Sequence, residues 1–211
     1  MPISRDDTLK WIRASARVIA ENREFLTQLN AATGDADHGA NMDRGFQAVL
    51  ARMPEIRGQN IGTIFKTVGM TLHSKVGGAG GPLYGTFFLQ AGMKAAGKME
   101  LSLIDWGTVL QAALNGIVMR GNAGLGDKTM VDTLIPAVNA LHRAAEKKLP
   151  FKQALILSTE AAKKGMENTT HLVARKGRAS FLGDRSTGHQ DPGATSMFLI
   201  LKAAADTWAN N

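Results

Sequence analysis

Two carboxylates stand two residues apart in the segment Gly34-Asp35-Ala36-Asp37-His38-Gly39-Ala40-Asn41-Met42. A turn bracketed by glycines can bring Asp35 and Asp37 to one point. Hard cations such as Mg²⁺ take oxygen ligands in near-octahedral geometry, commonly one or two carboxylates completed by phosphate oxygens and water. The segment then enters a helix near Asn41, and a helix start attracts anions. Spacing alone supports a second reading equally well: a polar turn in which Asp37 or Asn41 caps the helix.

Three further junctions gather unusual residues. Gly77-Gly78-Ala79-Gly80-Gly81-Pro82 exposes backbone N–H groups just before a helix, which suits a phosphate cradle. It matches neither the P-loop nor the dinucleotide-binding glycine pattern, and close helix packing through a flexible turn explains it too. Gly121-Asn122-Ala123-Gly124-Leu125-Gly126-Asp127-Lys128-Thr129-Met130 is a small-residue loop ending in a polar cap. Residues 174–195, rich in Gly, Arg, Asp and Ser, form a structureless stretch of about twenty residues. Such a stretch inside a compact domain is usually functional or disordered. Its arginines suit bidentate phosphate contacts and its composition suits a cover over a site; a solvated surface loop is the plainer alternative.

Helical periodicity dominates the segments that must position these junctions. Leu9, Ile12, Ala16 and Ile19 share one helical face behind a capping box of Ser4 and Asp7. Further stripes run through Met42–Met53, stopped by Pro54; through Ile61–Leu72; and through Leu83–Ala95, entered at Pro82. Four more run from Trp106, with Ser102 and Asp105 as capping box; from Thr129 and Asp132, with Pro136 inside; from Pro150; and through Met197–Trp208. No alternating strand pattern is found. Eight helices with short connections predict an all-α, antiparallel up-and-down bundle, in one domain over residues 1–211.

Bulk properties narrow the function. There is no cysteine, which excludes a disulfide framework and thiol chemistry. No apolar run is long enough to span a bilayer and the polar N-terminus is no secretory signal, so a cytoplasmic protein is expected. The net charge of +7 suits nucleic acid, an anionic surface or a phosphorylated ligand. Lysine and arginine are spread along the chain and there is one tyrosine, which argues against direct nucleic-acid binding.

Together these segments resemble the ADP-binding DhaL subunits of bacterial dihydroxyacetone kinases. The resemblance rests on Gly34–Met42, Gly69-Met-Thr-Leu72, Gly77-Gly-Ala79, Gly81-Pro-Leu-Tyr-Gly85, Asp127-Lys-Thr-Met130, Arg175–Ser180 and Gly188-His-Gln-Asp-Pro-Gly193, in order over about residues 5–205. It implies an eight-helix antiparallel barrel with a nucleotide, ADP or ATP, at one end. It implies two Mg²⁺ ions bridging Asp35, Asp37 and the phosphates, with a third ligand position falling on Asn30. His38, Gly39, Ala40 and Asn41 are then expected near the phosphates, as are Gly78, Ala79 and Gly80. Gly121, Thr129, Met130 and Arg178 are expected to line the pocket, with Asp191, Pro192 and Gly193 as part of its cover. Asp35, Asp37 and Arg178 carry the transfer.

The chain departs from the family pattern at two of these places. Asn30 replaces an aspartate, so one ion rather than two is conceivable, and Gly80 replaces a serine. The implied activity is transfer of a phosphoryl group to dihydroxyacetone or a related small ketose held on a DhaK-like partner. A DhaM-like phosphohistidine subunit serves as donor, and a homodimer is compatible. The rival expectations are a nucleotide-sensing module without turnover and a kinase for another short-chain sugar.

Overall fold

The computed structural model describes residues 2–31 and 35–209; Gly34, which opens the acidic turn, lies outside them. The elements in chain order are α1 (Arg5–Glu21), α2 (Arg23–Ala31), α3 (His38–Ala51), α4 (Met53–Ile56), α5 (Ile61–Lys75) and α6 (Gly80–Lys94). There follow α7 (Leu103–Gly121), α8 (Met130–Glu146), α9 (Phe151–Asn168) and α10 (Pro192–Trp208). The eight long helices, all but α2 and α4, form a closed ring: α1, α3, α5, α6, α7, α8, α9, α10 and back to α1, each packed on the next. They are the eight whose apolar stripes the sequence displays.

Local chemistry starts these helices where it should. Ser4 with Asp7, Ser102 with Asp105 and Thr129 with Asp132 make reciprocal capping boxes at α1, α7 and α8. Asn60 and Asp191 cap α5 and α10 through their side chains.

Four details differ from the sequence expectation. Helix α2 has no recognisable stripe because only Leu26 and Asn30 are buried on it. Pro54 does not simply stop α3; it sits in the first turn of the one-turn helix α4, where a missing N–H costs nothing. Two-residue strands, β1 (Ile3–Ser4) and β2 (Glu100–Leu101), pair antiparallel and tie the chain start to the α6–α7 connection. Such a pair is too short for a period-2 signal. Finally, the long loop is not structureless: 3₁₀ turns occupy Arg178–Ser186, and α10 already begins at Pro192.

Helices α5 and α6 approach to backbone contact. A Cβ added at Gly69 would lie 2.9 Å from the Gly85 carbonyl oxygen, and one at Gly62 would lie 2.8 Å from that of Gly92. The matched small residues along both helices hold the glycine turn between them in a fixed place. At the opposite end, Trp11, Phe65, Phe88, Trp106 and Trp208 form an aromatic cluster of edge-to-face and tilted pairs with ring centroids 5.0–6.1 Å apart. Edge-to-face pairs add about 0.5–1.5 kcal/mol each beyond area burial.

Candidate functional site

The acidic turn is held from both sides. Asn30, at the end of α2, accepts the backbone N–H groups of Asp37 (3.0 Å) and His38 (3.1 Å) on its side-chain oxygen. It therefore caps α3, while Asp37, the N-cap by position, makes no side-chain cap bond. Instead Asp37 Oδ2 accepts from Asn41 Nδ2 at 2.8 Å. Asp35 pairs with Arg178 Nη1 at 2.8 Å, which brings the long loop onto the turn. Ala36 between the two acids has φ +44°, the left-handed backbone that reverses the chain there. Among the described residues no three His, Asp or Glu side chains cluster as a metal site. A cation here would take its remaining oxygens from phosphate and water, as Mg²⁺ does.

Four helix starts meet beside this turn. His38 Nε2 lies 2.8 Å from Ser196 Oγ, joining α3 to α10. Tyr84 Oη lies 2.6 Å from the same hydroxyl and donates to the Gly193 carbonyl at 3.2 Å, joining α6 to α10. Thr133 Oγ1 donates to the Ala194 carbonyl at 3.0 Å, joining α8 to α10. The N-termini of α3, α6, α8 and α10 thus point their partial positive charge into one region. Helix α6 is the most open of them: its N-cap Ala79 has no side chain able to cap, and Gly78 and Ala79 are exposed. Gly78 has φ +60°, which a glycine adopts without strain. An uncapped helix start behind a glycine turn is a ready anion site.

The long loop is anchored by a residue whose role the sequence hides. Lys128 is 2% exposed, and its ammonium donates to the carbonyls of Thr169 (2.6 Å), Leu172 (3.1 Å) and His189 (2.5 Å). These acceptors lie on both feet of the loop. Gly188 N–H to the Thr170 carbonyl, at 2.8 Å, closes the feet on each other. Arg178 at the loop tip stays exposed at 69%, and Phe181 beside it at 87%.

Burial sets the protonation states. It pushes the His38 imidazole down to about 4, against the opposing pull of Asp37 and the Pro192 carbonyl, so the ring is neutral near pH 7. It raises the Tyr84 phenol well above its usual range. The Asp191 carboxyl is pushed up to about 7 by burial, with the Ala194 amide and Lys128 acting against that shift. Lys128 is lowered by burial, opposed by Asp191 and Asp132.

The expected residues divide by what the structure has them do. Asp37 accepts from Asn41, which packs against Gly77, Asp35 pairs with Arg178, and His38 bonds to Ser196. Gly78, Ala79 and Gly80 form the α6 start, while Asp191, Pro192 and Gly193 form that of α10. Gly193 and Met130 are neighbours, and Gly121 ends α7 against Leu83. Gly39 faces away from a ligand: a Cβ there would lie 1.9 Å from the Arg23 carbonyl oxygen, so its glycine serves α2–α3 packing, and Ala40 follows it on α3. The Thr129 hydroxyl is engaged in capping α8. Sequence reasoning missed Lys128, Ser196, Tyr84 and Arg44 as parts of the arrangement. Only tertiary contacts reveal them, although Lys128 and Tyr84 lie inside segments that stood out.

A family model for the DAK2 domain matches residues 32–206. The chain belongs to the DAK2 domain family. Among curated relatives it is 42% identical over 205 residues to the ADP-binding subunit DhaL of the PEP-dependent dihydroxyacetone kinase of Escherichia coli (strain K12), covering 97% of this chain and 98% of that one. It is 40% identical over 207 residues to the ADP-binding subunit DhaL of PEP-dependent dihydroxyacetone kinase 1 of Listeria innocua, covering 98% of each. Its fold matches the crystal structure of the dihydroxyacetone kinase from C. freundii in complex with AMP-PNP and Mg²⁺, with a TM-score of 0.71 at 24% identity. That match covers 98% of this chain and 34% of the kinase, so this DAK2 domain spans about a third of the larger protein.

Proposed function

We propose that this chain is the nucleotide-carrying subunit of a dihydroxyacetone-kinase-type phosphotransferase. In this reading it holds ADP or ATP with Mg²⁺ at the junction of the acidic and glycine turns. The phosphoryl group passes to dihydroxyacetone, or a related small ketose, held on a DhaK-like partner subunit. A DhaM-like phosphohistidine subunit rephosphorylates the bound nucleotide. The observation that carries the reading is the meeting of four helix starts beside Asp35 and Asp37, with Arg178 brought over the same place. Family membership and the full-length likeness to ADP-binding DhaL subunits support it.

The donor set fits such a metal. Asp35 and Asp37 supply hard anionic oxygens, and the uncapped α6 start supplies N–H groups for the phosphates. Held by Asp35 and Asp37, Mg²⁺ would neutralise charge on the transferring phosphoryl group. The chain itself orients and stabilises. The Arg178 guanidinium is long and exposed enough to exchange Asp35 for phosphate oxygens, bidentately. His38 is neutral and fixes the α3 start against α10. No general base is needed here, because phosphoryl transfer depends mainly on positioning and electrostatics.

The test is reconstitution with a DhaK-type subunit carrying dihydroxyacetone and a phosphoryl donor system. The expected result is ketose phosphate formation that requires this chain and stops with Asp35→Ala. Full-rate transfer by Asp35→Ala would refute the assignment. A nucleotide-sensing module without turnover is the second reading. Asn30 favours it, because an uncharged side chain already holding two backbone amides adds no charge for a second ion. Tight Mg²⁺·ADP binding with no transfer in the same assay would select that reading.

A further inference from the structure

Arg44 lies one turn into α3, outside both turns, and its guanidinium spans two elements. Nε donates to the Lys75 carbonyl at the end of α5 (3.0 Å), and Nη2 donates to Asn41 Oδ1 (2.8 Å). An amide side chain can usually be placed either way round. Here chemistry decides: arginine has only donors, so the Asn41 oxygen must face it and the NH₂ group must face the other way. On that other side lies Asp37 Oδ2, at 2.8 Å. Asn41 is 8% exposed, and its space exists because residue 77 is glycine; a Cβ there would lie 2.9 Å from Asn41 Oδ1. One set of bonds therefore links the end of α5 to the acidic turn, with Gly77 of the glycine turn packed against Asn41.

We propose that Arg44 and Asn41 are positioning residues for the Asp37 carboxylate. Arg44 fixes the polarity of the Asn41 amide, and Asn41 holds one Asp37 oxygen so that the other faces the cation. The inference rests on the reading of Asp37 as a Mg²⁺ ligand. Without the guanidinium the amide could turn its oxygen toward Asp37 and repel it. The chain also accounts for Gly77, which stands before the turn's positive-φ glycine and has no conformational need of its own. Outer-shell partners that orient ligating groups typically change metal affinity or activity by roughly 10–100-fold when lost.

The experiment is calorimetric titration of ADP with saturating Mg²⁺ and with EDTA, on the full chain and its variants. Thermal unfolding confirms that each variant is folded. Arg44 is exposed, so Arg44→Met leaves the core intact. Arg44→Met is expected to weaken Mg²⁺-dependent ADP binding by roughly 10-fold, with binding in EDTA unchanged, and Asn41→Leu is expected to weaken the Mg²⁺-dependent binding at least as much. The double variant should be no weaker than Asn41→Leu alone, since both break one chain. Gly77→Ala, which displaces Asn41, should behave like Arg44→Met. Additive losses, equal losses in EDTA, or no loss overturn the proposal. Asp37→Ala separates the levels. If Mg²⁺ dependence survives Asp37→Ala, the ligand reading falls and the proposal with it. If it vanishes there but is unchanged in Arg44→Met and Asn41→Leu, only the positioning chain is refuted.

Discussion

The two ends of the helical ring are built on opposite principles. At one end Trp11, Trp106 and Trp208 are 5% exposed or less and stack edge to face, and the indole N–H groups of Trp11 and Trp208 donate to the carbonyls of Ile200 and Asp7. At the other end the α6 start has no side-chain cap, two acids share a short turn, and a buried ammonium holds a loop by its feet. The first end stabilises the fold by burial. The second keeps buried and paired charge in place, at a cost in stability that the first end offsets. The same eight helices serve both, because each reaches from one end to the other.

This division predicts that changes at the aromatic end cost stability and changes at the polar end cost binding. The largest effect is expected from Trp11→Ala, which removes a fully buried ring and should lower unfolding free energy by about 3–5 kcal/mol. Chemical denaturation measures it, and a loss below that of an exposed substitution would break the contrast. Next, Asp35→Ala should reduce Mg²⁺-dependent ADP affinity by more than the roughly 10–100-fold of an outer-shell change, with little change in melting temperature. A large melting shift with intact binding would reverse the assignment of the two ends.

Lys128→Met sits between the extremes. It leaves three carbonyls without their donor, worth about 1–3 kcal/mol where such groups stay buried. The expected sign is faster amide hydrogen exchange confined to residues 172–189. Exchange rising equally throughout the ring would show that Lys128 supports the core instead.

The smallest effect is a pH dependence in which two buried groups oppose each other. Asp191 titrates at about 7 in the folded chain against an ordinary 3.8, so between those values the folded state holds a proton that the unfolded state releases. Its contribution falls as pH rises from about 4 to about 7. His38 titrates at about 4 against an ordinary 6.5, so its contribution is lost as pH falls through that window. Asp191→Asn keeps the α10 cap but removes the first term. Its melting temperature should climb more steeply from pH 4 to 6.5 than that of the unaltered protein. Equal slopes would show that Asp191 does not carry a raised proton affinity.

The same two ends differ in how far the amino-acid sequence reveals them. The eight long helices that build both ends are legible, because stripes such as Leu9, Ile12, Ala16 and Ile19 and the Ser–x–x–Asp boxes are local signals, whereas the aromatic cluster around Trp11 appears only once the helices pack. At the polar end the turn residues Asp35, Asp37, Gly78 and Ala79 are visible as breaks in that periodicity. Their coupling is not. Lys128, Arg44, Tyr84 and Ser196 act across 31 to 158 residues of sequence, and nothing in their neighbours marks a lysine destined for three backbone carbonyls. Asn30 is a further case. Its position invites a metal role, yet its oxygen turns to the amides of Asp37 and His38, a choice made by how α2 and α3 meet.

Native mass spectrometry of the protein incubated with ADP and Mg²⁺ weighs nucleotide and metal on one molecule. The account predicts a species carrying ADP together with Mg²⁺ for the unaltered chain, and loss of the Mg²⁺ mass in the Asp35→Ala, Asp37→Ala double variant. An ADP adduct of identical mass and abundance in both, metal included, would contradict it.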